Sequence, residues 1–242
     1  MADVKLVHTL LDTTLNSIIP LTRAGVDSGA KVFGAAILRK DTLEPCMVAT
    51  NTETDSPLMH GEITCIQNFY TQISAESRPK AKDTIFFATH EPCSLCTSGI
   101  TWGGWDNFTY LFSYEETRDT FAIPHDIDIR AYTSSSESPI RYPTNRLASI
   151  FYSSSTSAVE QVFKVPSLCS SETATELANR PLYNKVNKFF TSQSISDLVQ
   201  ALPEGSEQRT ILEAKVKSVK EAYNDLSRTY QEGKGDKGIP LA

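Results

Sequence analysis

The sequence lacks any apolar run near the roughly 20 residues that a membrane-spanning helix needs. Its first residues, MADVKLVHTL, also lack the apolar block and the small-residue cleavage site of a secretory signal peptide. Both absences argue against a membrane-embedded or secreted protein. We therefore expect an intracellular, cytoplasmic protein with no membrane partner.

Paired cysteines and clustered positive charge are also scarce. The 242 residues include five cysteines, an odd number at irregular spacing, which does not suit a disulfide framework. The formal net charge is −6, and no basic stripe is visible that could neutralise nucleic-acid phosphates. The composition thus disfavours a nucleic-acid partner and leaves metal binding or packing as roles for the cysteines.

Apolar periodicity in the first half of the chain predicts the element order α, β, β, α, β, α, β. A first helix is predicted to end at Pro20, and the segments VFGAAILRK and PCMVAT then form a hairpin. A second helix begins near His60, with Ile63, Ile66 and Tyr70 on its predicted core face. This order indicates a three-layer α/β/α sandwich.

The second half of the chain has less regular patterning. We divide the sequence into a core at 1–133 and a mainly helical C-terminal extension at 134–242 that packs on it. Helices are predicted within 173–192 and 194–202. A last helix at 206–231 carries a narrow apolar stripe, which we expect to dock on the same domain, followed by a loose tail.

Cys93 and Cys96 stand three residues apart, directly after a proline. A lone Cys-x-x-Cys motif fits a redox pair, half of a four-cysteine zinc clip or part of a catalytic metal site. No second such motif exists in the sequence, whereas HGE at 60–62 supplies a histidine and a carboxylate at the start of a helix. His-x-Glu followed by Pro-Cys-x-x-Cys is the signature of zinc-dependent nucleobase and nucleoside deaminases.

The spacing of these residues suits one catalytic zinc ion per chain. Cysteines at i and i+3 in the first turn of a helix share a face, and the positive helix N-terminus favours thiolates. His60 would complete three protein ligands and leave the fourth tetrahedral position to water, whose pKa zinc can lower to about 7. Glu62, too close to His60 to be an efficient ligand, would then shuttle protons from the water to the ring nitrogen and the departing amine.

The segments FGAAIL, ATNTETDSPLMHGEI and ATHEPCSLCTSGITW together resemble the cytidine deaminase superfamily. The similarity is to the branch that holds fungal cytosine deaminase, bacterial guanine deaminase and tRNA adenosine deaminase, and it covers roughly the first 130 residues. The resemblance implies a mixed five-stranded sheet between helices, assembled as a homodimer. The resemblance also implies that this chain has a nucleobase-binding pocket.

Individual substrate-binding roles follow from the resemblance. Asn51 matches an asparagine whose amide hydrogen-bonds the ring edge, although an asparagine that caps its own loop is the plain alternative. Gly61 matches a position whose backbone N–H faces a substrate carbonyl. Phe33 matches an apolar residue that touches the base, although a phenylalanine in a strand is also an ordinary core residue. Glu91 is expected to contribute its backbone carbonyl to the pocket.

One residue departs from the family pattern, and one later segment resembles only the purine deaminases. His90 stands where the family commonly has an apolar residue, and we expect it to hydrogen-bond a neighbour rather than line the pocket. The segment DTFAIPHDIDI falls where the purine deaminases carry an acidic stretch that reads the base. Asp126 and His125 are therefore candidates for substrate recognition, with solvated loop residues as the alternative.

The favoured substrate is a free nucleobase or base analogue. HGEI resembles fungal cytosine deaminase, whereas SGITW and the residues after it are closer to guanine deaminase. We expect a guanine-type aminopurine or aminotriazine ring first and cytosine second. Two alternatives stay open: an RNA-editing subunit like tRNA adenosine deaminase, and a catalytically silent interaction protein that zinc stabilises.

Overall fold

The computed structural model of the chain describes residues 4–121, 123 and 185–237. At its centre lies a five-stranded sheet in the order β2-β1-β3-β4-β5. The strands are β1 (Gly34–Arg39), β2 (Pro45–Thr50), β3 (Thr84–His90), β4 (Asn107–Phe112) and β5 (Thr191–Ser194). β1 pairs antiparallel with β2 and β3, while β3 with β4 and β4 with β5 are parallel pairs. The predicted mixed five-stranded sheet and the predicted hairpin are confirmed.

Helices cover the sheet on both faces. They are α1 (Val4–Thr13), α2 (Ile19–Asp27), α3 (Gly61–Gln72), α4 (Ser94–Trp102), α5 (Tyr114–Phe121), α6 (Ile195–Gln200) and α7 (Glu207–Lys237). Successive residues of a strand point to opposite faces. Phe86 of β3 accordingly packs on Trp105, next to Phe69 of α3, while Phe87 joins the apolar cluster of α1, α2 and α7. This arrangement is the predicted three-layer sandwich.

The first helical segment runs past the proline at which we predicted its end. A π-helix, Thr14–Ile18, joins α1 to α2, and the N–H of Ile19 closes it on the carbonyl of Thr14. Pro20 then stands in the first turn of α2, where its missing N–H is tolerated. The predicted end at Pro20 is therefore wrong.

The face that α3 buries also differs from the prediction. Cys65 and Phe69 are fully buried, whereas Tyr70 is exposed and Ile63 is only partly buried. A Cβ atom on Gly99 would lie 2.8 Å from Cδ1 of Ile63, which shows that this isoleucine packs against α4 instead of the sheet. The apolar stripe read from the sequence thus marks the contact between two helices.

The C-terminal part contributes both a strand and helices to the unit that contains the sheet. β5 lies beside β4, and α7 packs against α1, α2 and α5. Of the helix predicted within 173–192, only 185–192 is described, and it is loop and strand. α6 confirms the helix predicted within 194–202, and α7 extends the last predicted helix to Lys237, into the segment expected to be loose.

The proposed division into 1–133 and 134–242 stays a prediction, because residues 124–184 lie outside the described part of the chain. The apolar segments around Ile140 and at Ile150 to Tyr152, which lie between serine clusters and which we interpret as strands from the sequence, also lie outside the described residues. In the described part of the chain, no helix is long and apolar enough to cross a membrane.

Candidate metal centre

Three side chains meet at one end of the sheet to form a set of metal-binding atoms. Nδ1 of His60 lies 3.5 Å from Sγ of Cys93 and 3.6 Å from Sγ of Cys96. All three atoms lie within 4.8 Å of one another. Zinc–nitrogen and zinc–sulfur bonds of about 2.0 and 2.3 Å place tetrahedral N and S ligands roughly 3.6 Å apart. The set therefore fits zinc, as the sequence predicted.

Two helix N-termini bring these ligands together. His60 is the extended residue directly before α3, and Cys93 is the extended residue directly before α4. Sγ of Cys93 accepts a hydrogen bond from the backbone N–H of Cys96 at 3.4 Å. The partial positive charge of the α4 N-terminus favours the thiolate form. The local fold thus prepares Cys93 as an anionic ligand before any metal binds.

When no metal is bound, the side chains of His60, Cys93 and Cys96 are linked by hydrogen bonds, which shift their pKa values. A hydrogen bond with Cys96 is the main cause that lowers the pKa of Cys93 to about 4. Burial alone would lower the pKa of His60, but hydrogen bonds with Cys93 and Glu53 raise it to about 10. The pKa of Cys96 is raised well above its ordinary value by the hydrogen bond with Cys93 and by burial. A metal ion must therefore displace protons from His60 and Cys96, so its affinity falls as the pH falls.

Glu62 lies beside this set in the first turn of α3. Its side chain is buried, and it forms a hydrogen bond with Cys96. Burial, together with the negative charge of Cys93, raises the pKa of Glu62 to about 7. A carboxyl group with this pKa exists in both protonation states near neutral pH and can both accept and release a proton.

Asn51 combines the two roles that the sequence left open for it. Its Oδ1 accepts hydrogen bonds from the backbone N–H groups of Lys31, at 3.3 Å, and Glu53, at 3.1 Å, and so holds the loop. Because Oδ1 is occupied, Nδ2 is the remaining donor. Among the described residues, this buried Nδ2 has no hydrogen-bond partner. The side chain thus keeps one donor for a further acceptor.

The backbone of Phe33 lies directly against the start of α3. A Cβ atom on Gly61 would be only 2.8 Å from the carbonyl oxygen of Phe33. The carbonyl of Phe33 also accepts the backbone N–H of Asn51 at 2.8 Å. These contacts bring the three predicted substrate-binding residues Phe33, Asn51 and Gly61 together with the metal ligand that precedes Gly61.

His90 is buried in the aromatic core. Its ring stacks on Phe112 with centroids 4.9 Å apart and meets the edge of Phe33 at 4.7 Å. Its Nδ1 is paired with Oγ1 of Thr89 at 3.0 Å, which confirms the expected hydrogen bond to a neighbour. Burial, aided by the charge of Lys220, lowers the pKa of His90 to about 3, so the ring is neutral at physiological pH.

The remaining predicted pocket residues are only partly placed. The carboxylate of Glu91 accepts a hydrogen bond from the backbone N–H of Tyr114 at 3.1 Å, and its own N–H donates to the carbonyl of Phe112. The side chain of Glu91 therefore fixes the loop before Cys93. Asp126 and His125 lie outside the described residues.

Sequence reasoning missed two residues next to the metal-binding set: Glu53, which contacts His60, and Lys31, which contacts Glu53. Oε1 of Glu53 lies 3.1 Å from Nε2 of His60 and 3.0 Å from Nζ of Lys31. Glu53 belongs to the acidic loop before HGE, but its sequence does not distinguish Glu53 from the nearby Asp55. Lys31 lies just before the FGAAIL segment but is far in sequence from HGE and Cys-x-x-Cys, and nothing in its sequence neighbourhood indicates a role at the metal centre.

Residues 15–112 match the family described as the cytidine and deoxycytidylate deaminase zinc-binding region. This segment contains His60, Glu62 and both cysteines of the metal-binding set. The chain thus contains a segment, residues 15–112, that matches the cytidine deaminase superfamily. It therefore carries a zinc-binding deaminase domain, as the motif resemblance implied.

Solved structures with similarity to this deaminase domain include two guanine deaminases. The enzyme from Nitrosomonas europaea is 16% identical, with a TM-score of 0.38, over 45% of this chain and 62% of that chain, which is less than two thirds of its length. The enzyme from Bacillus subtilis is 20% identical, with a TM-score of 0.42, over 67% and 96% of the two chains.

A third similar structure comes from work on A-to-I editing by tRNA:A34 deaminases at the wobble position. It is 16% identical, with a TM-score of 0.35, over 41% of this chain and 70% of that chain. Among curated proteins, no sequence matches this chain significantly.

Proposed function

We propose that the protein is a zinc-dependent hydrolytic deaminase that acts on a free nucleobase or base analogue. The observation that carries this proposal is the buried carboxylic acid of Glu62 beside the three-residue ligand set of His60, Cys93 and Cys96. A purely structural zinc site is normally closed by four protein ligands. The described residues supply three, and an acid with a pKa of about 7 lies next to them.

The reaction replaces an exocyclic amino group of the ring by oxygen, so a C–O bond forms, a C–N bond breaks and ammonia leaves. His60, Cys93 and Cys96 hold zinc, which when bound supplies a Lewis acid that lowers the pKa of water at the site. Glu62 takes a proton from the attacking water and delivers protons to the ring nitrogen and the departing amine. No oxidant or further cofactor is required for this exchange.

The surroundings of the site favour a planar ring with an acceptor on its edge. The free Nδ2 of Asn51 is a donor, so it pairs with a ring nitrogen or a carbonyl oxygen. Gly61 offers its backbone N–H at the start of α3, and the partly buried Phe33 supplies an apolar wall. The backbone carbonyl of Glu91, directly before Pro92 and Cys93, completes the proposed pocket.

A guanine-type aminopurine or aminotriazine is the proposed ring, with cytosine second. This preference depends on the resemblance of SGITW and the following residues to guanine deaminases, and Asp126 and His125 are the candidate readers of the purine edge. The net charge of −6 favours a small substrate over a polynucleotide, since polynucleotide binding gains affinity mainly from phosphate neutralisation.

The test is ammonia release by the purified zinc-loaded protein. We would supply guanine, azaguanine, cytosine and adenine as free bases, the matching nucleosides, and transfer RNA. We expect turnover of free bases, with guanine or azaguanine preferred. Activity confined to nucleosides would reject the free-base proposal, and inosine formation in transfer RNA alone would favour the RNA-editing alternative.

A homodimer is the proposed assembly. The side chain of Trp102 at the end of α4 is 91% exposed. Leu95, two turns earlier on the same face of α4, and Tyr70 of α3 are exposed as well. Oη of Tyr70 donates to the carbonyl of Gly103 at 2.7 Å, which brings Tyr70 next to Trp102. Tryptophan and tyrosine are enriched in interfaces, and exposed apolar patches commonly mark them.

A further inference from the structure

We infer that Glu53 and Lys31 are positioning residues for the zinc ligand His60. In this arrangement Glu53 accepts a hydrogen bond from Nε2–H of the imidazole, so that the lone pair of Nδ1 is free on the side of the ring that faces the two cysteines. Lys31 in turn fixes the carboxylate of Glu53. Neither residue touches the proposed substrate or the metal.

One carboxylate oxygen makes both contacts. Oε1 of Glu53 lies 3.1 Å from Nε2 of His60 and 3.0 Å from Nζ of Lys31. On the opposite edge of the same ring, Nδ1 lies 3.5 Å from Sγ of Cys93. The two nitrogens of a neutral imidazole cannot both donate, so an Nε2–H bound to Glu53 leaves Nδ1 as the metal-binding atom.

Because Glu53 is buried and Lys31 is largely buried, the carboxylate of Glu53 cannot exchange its two partners for water. The side chain of Glu53 is only 4% exposed and that of Lys31 is 17% exposed. A buried charge without a partner is strongly destabilising, so the carboxylate needs both of its neighbours. An exposed carboxylate could rotate into water, whereas Glu53 is confined to the edge of the ring.

The loop that carries Glu53 is tied to the loop that carries Lys31. Oδ1 of Asn51 accepts the backbone N–H of Glu53 at 3.1 Å and that of Lys31 at 3.3 Å. One amide group thus sets the backbone position of both positioning residues. It also connects them to the residue whose Nδ2 is proposed to hold the substrate.

The expected effect is on zinc affinity. Carboxylates that accept the second nitrogen of a ligating histidine fix its tautomer and orientation, and their removal typically weakens metal binding about 10- to 100-fold. Glu53→Gln keeps the shape of the side chain and removes its charge. Lys31→Met leaves the carboxylate without its fixing partner and should weaken zinc binding by a smaller factor.

The control is Asp55→Asn, which removes a carboxylate from the same loop. Asp55 is exposed, and its backbone N–H donates to the carbonyl of Thr52. We would measure zinc affinity by competition with a chromophoric chelator in the full-length protein, with no substrate present. Glu53→Gln should bind zinc about 10- to 100-fold more weakly than the Asp55→Asn control. Equal affinities in these two variants would overturn the inference.

A second measurement needs no variant and therefore does not depend on folding of Glu53→Gln. The ¹⁵N–¹H NMR spectrum of the zinc-loaded wild-type protein reports which imidazole nitrogen of His60 carries the proton. We expect a protonated Nε2, and a protonated Nδ1 would overturn the inference. Both measurements stand apart from catalysis, so failure of the proposed deamination would not affect them.

Discussion

The start of α3 and the start of β1 approach so closely that a Cβ atom on Gly61 would lie 2.8 Å from the carbonyl oxygen of Phe33. This is closer than real Cβ atoms come to backbone, and backbone cannot move aside as a flexible side chain can. The contact fixes the start of α3, with His60 before it and Glu62 in its first turn, against Phe33, which precedes β1 and supplies the proposed apolar wall.

We therefore expect Gly61→Ala to displace the N-terminus of α3 and to lower kcat/KM at least tenfold, because small displacements of catalytic groups are costly. Gly25→Ala is the matched control, since a Cβ atom there would meet its nearest neighbours at an ordinary 3.6 Å. Steady-state kinetics on the best substrate would compare the two variants. Unchanged kinetics in Gly61→Ala would show that the close approach has no role in catalysis.

His90 should make the folded protein sensitive to acid. Burial holds its pKa at about 3 in the folded state, against 6.5 for the ordinary residue. Between these values the unfolded chain binds more protons, so the free energy of unfolding rises with pH in that window and falls as the solution is acidified. From pH 7 to pH 5 this amounts to about 2 kcal/mol.

The matching variant is His90→Leu, which places an apolar side chain that cannot be protonated between Phe112 and Phe33. Its unfolding free energy should fall less between pH 7 and pH 5 than that of the wild type, as measured by urea titration at each pH. Equal decreases in both proteins would mean that His90 is protonated in the folded state as easily as in the unfolded chain.

Trp102 tests the proposed homodimer. Its replacement in Trp102→Glu places a charge in the middle of the exposed aromatic surface, where like charges of two copies would meet. We expect sedimentation analysis to show a dimer for the wild type and a monomer for this variant. Ile211→Glu is the control, because Ile211 is an exposed apolar residue on α7. Loss of the dimer in both variants, or a monomeric wild type, would contradict the proposal.

The ligand set and most of the sheet could be predicted because their signals are local. The His-x-Glu and Cys-x-x-Cys motifs each occupy one helix start, and the four strands up to Phe112 are apolar runs. The structure then places His60 and Cys93 next to each other, which the family resemblance implied and the separate motifs could not show.

β5 could not be predicted because its residues, Thr191–Ser194, carry no apolar signal. It forms by pairing with β4, far away in the sequence, and buries the small polar side chains of Ser192 and Ser194. The part of α7 that packs on the core was visible as an apolar stripe. The contact of Tyr223 in α7 with His90 could not be predicted, because apolar periodicity identifies the buried face of a helix but not the residues that it packs against.

Glu53 illustrates the same limit at the metal centre. Its sequence neighbours include another acid, and only the fold shows which carboxylate reaches Nε2 of His60. Residues that act through another side chain leave no spacing pattern, since their partners can come from any part of the chain. Such residues become visible only when the distances are known.

Glu62→Gln combined with zinc analysis tests the proposed chemistry most directly. The amide keeps the size of the side chain but cannot shuttle protons, and a lost general acid or base costs about 10²- to 10⁴-fold. Glu76→Gln, an exposed carboxylate after α3, is the control. We predict that Glu62→Gln retains one zinc ion per chain and releases ammonia at least 100-fold more slowly than the control. Ammonia release at the control rate by this zinc-loaded variant would contradict the assignment of Glu62 as the proton shuttle.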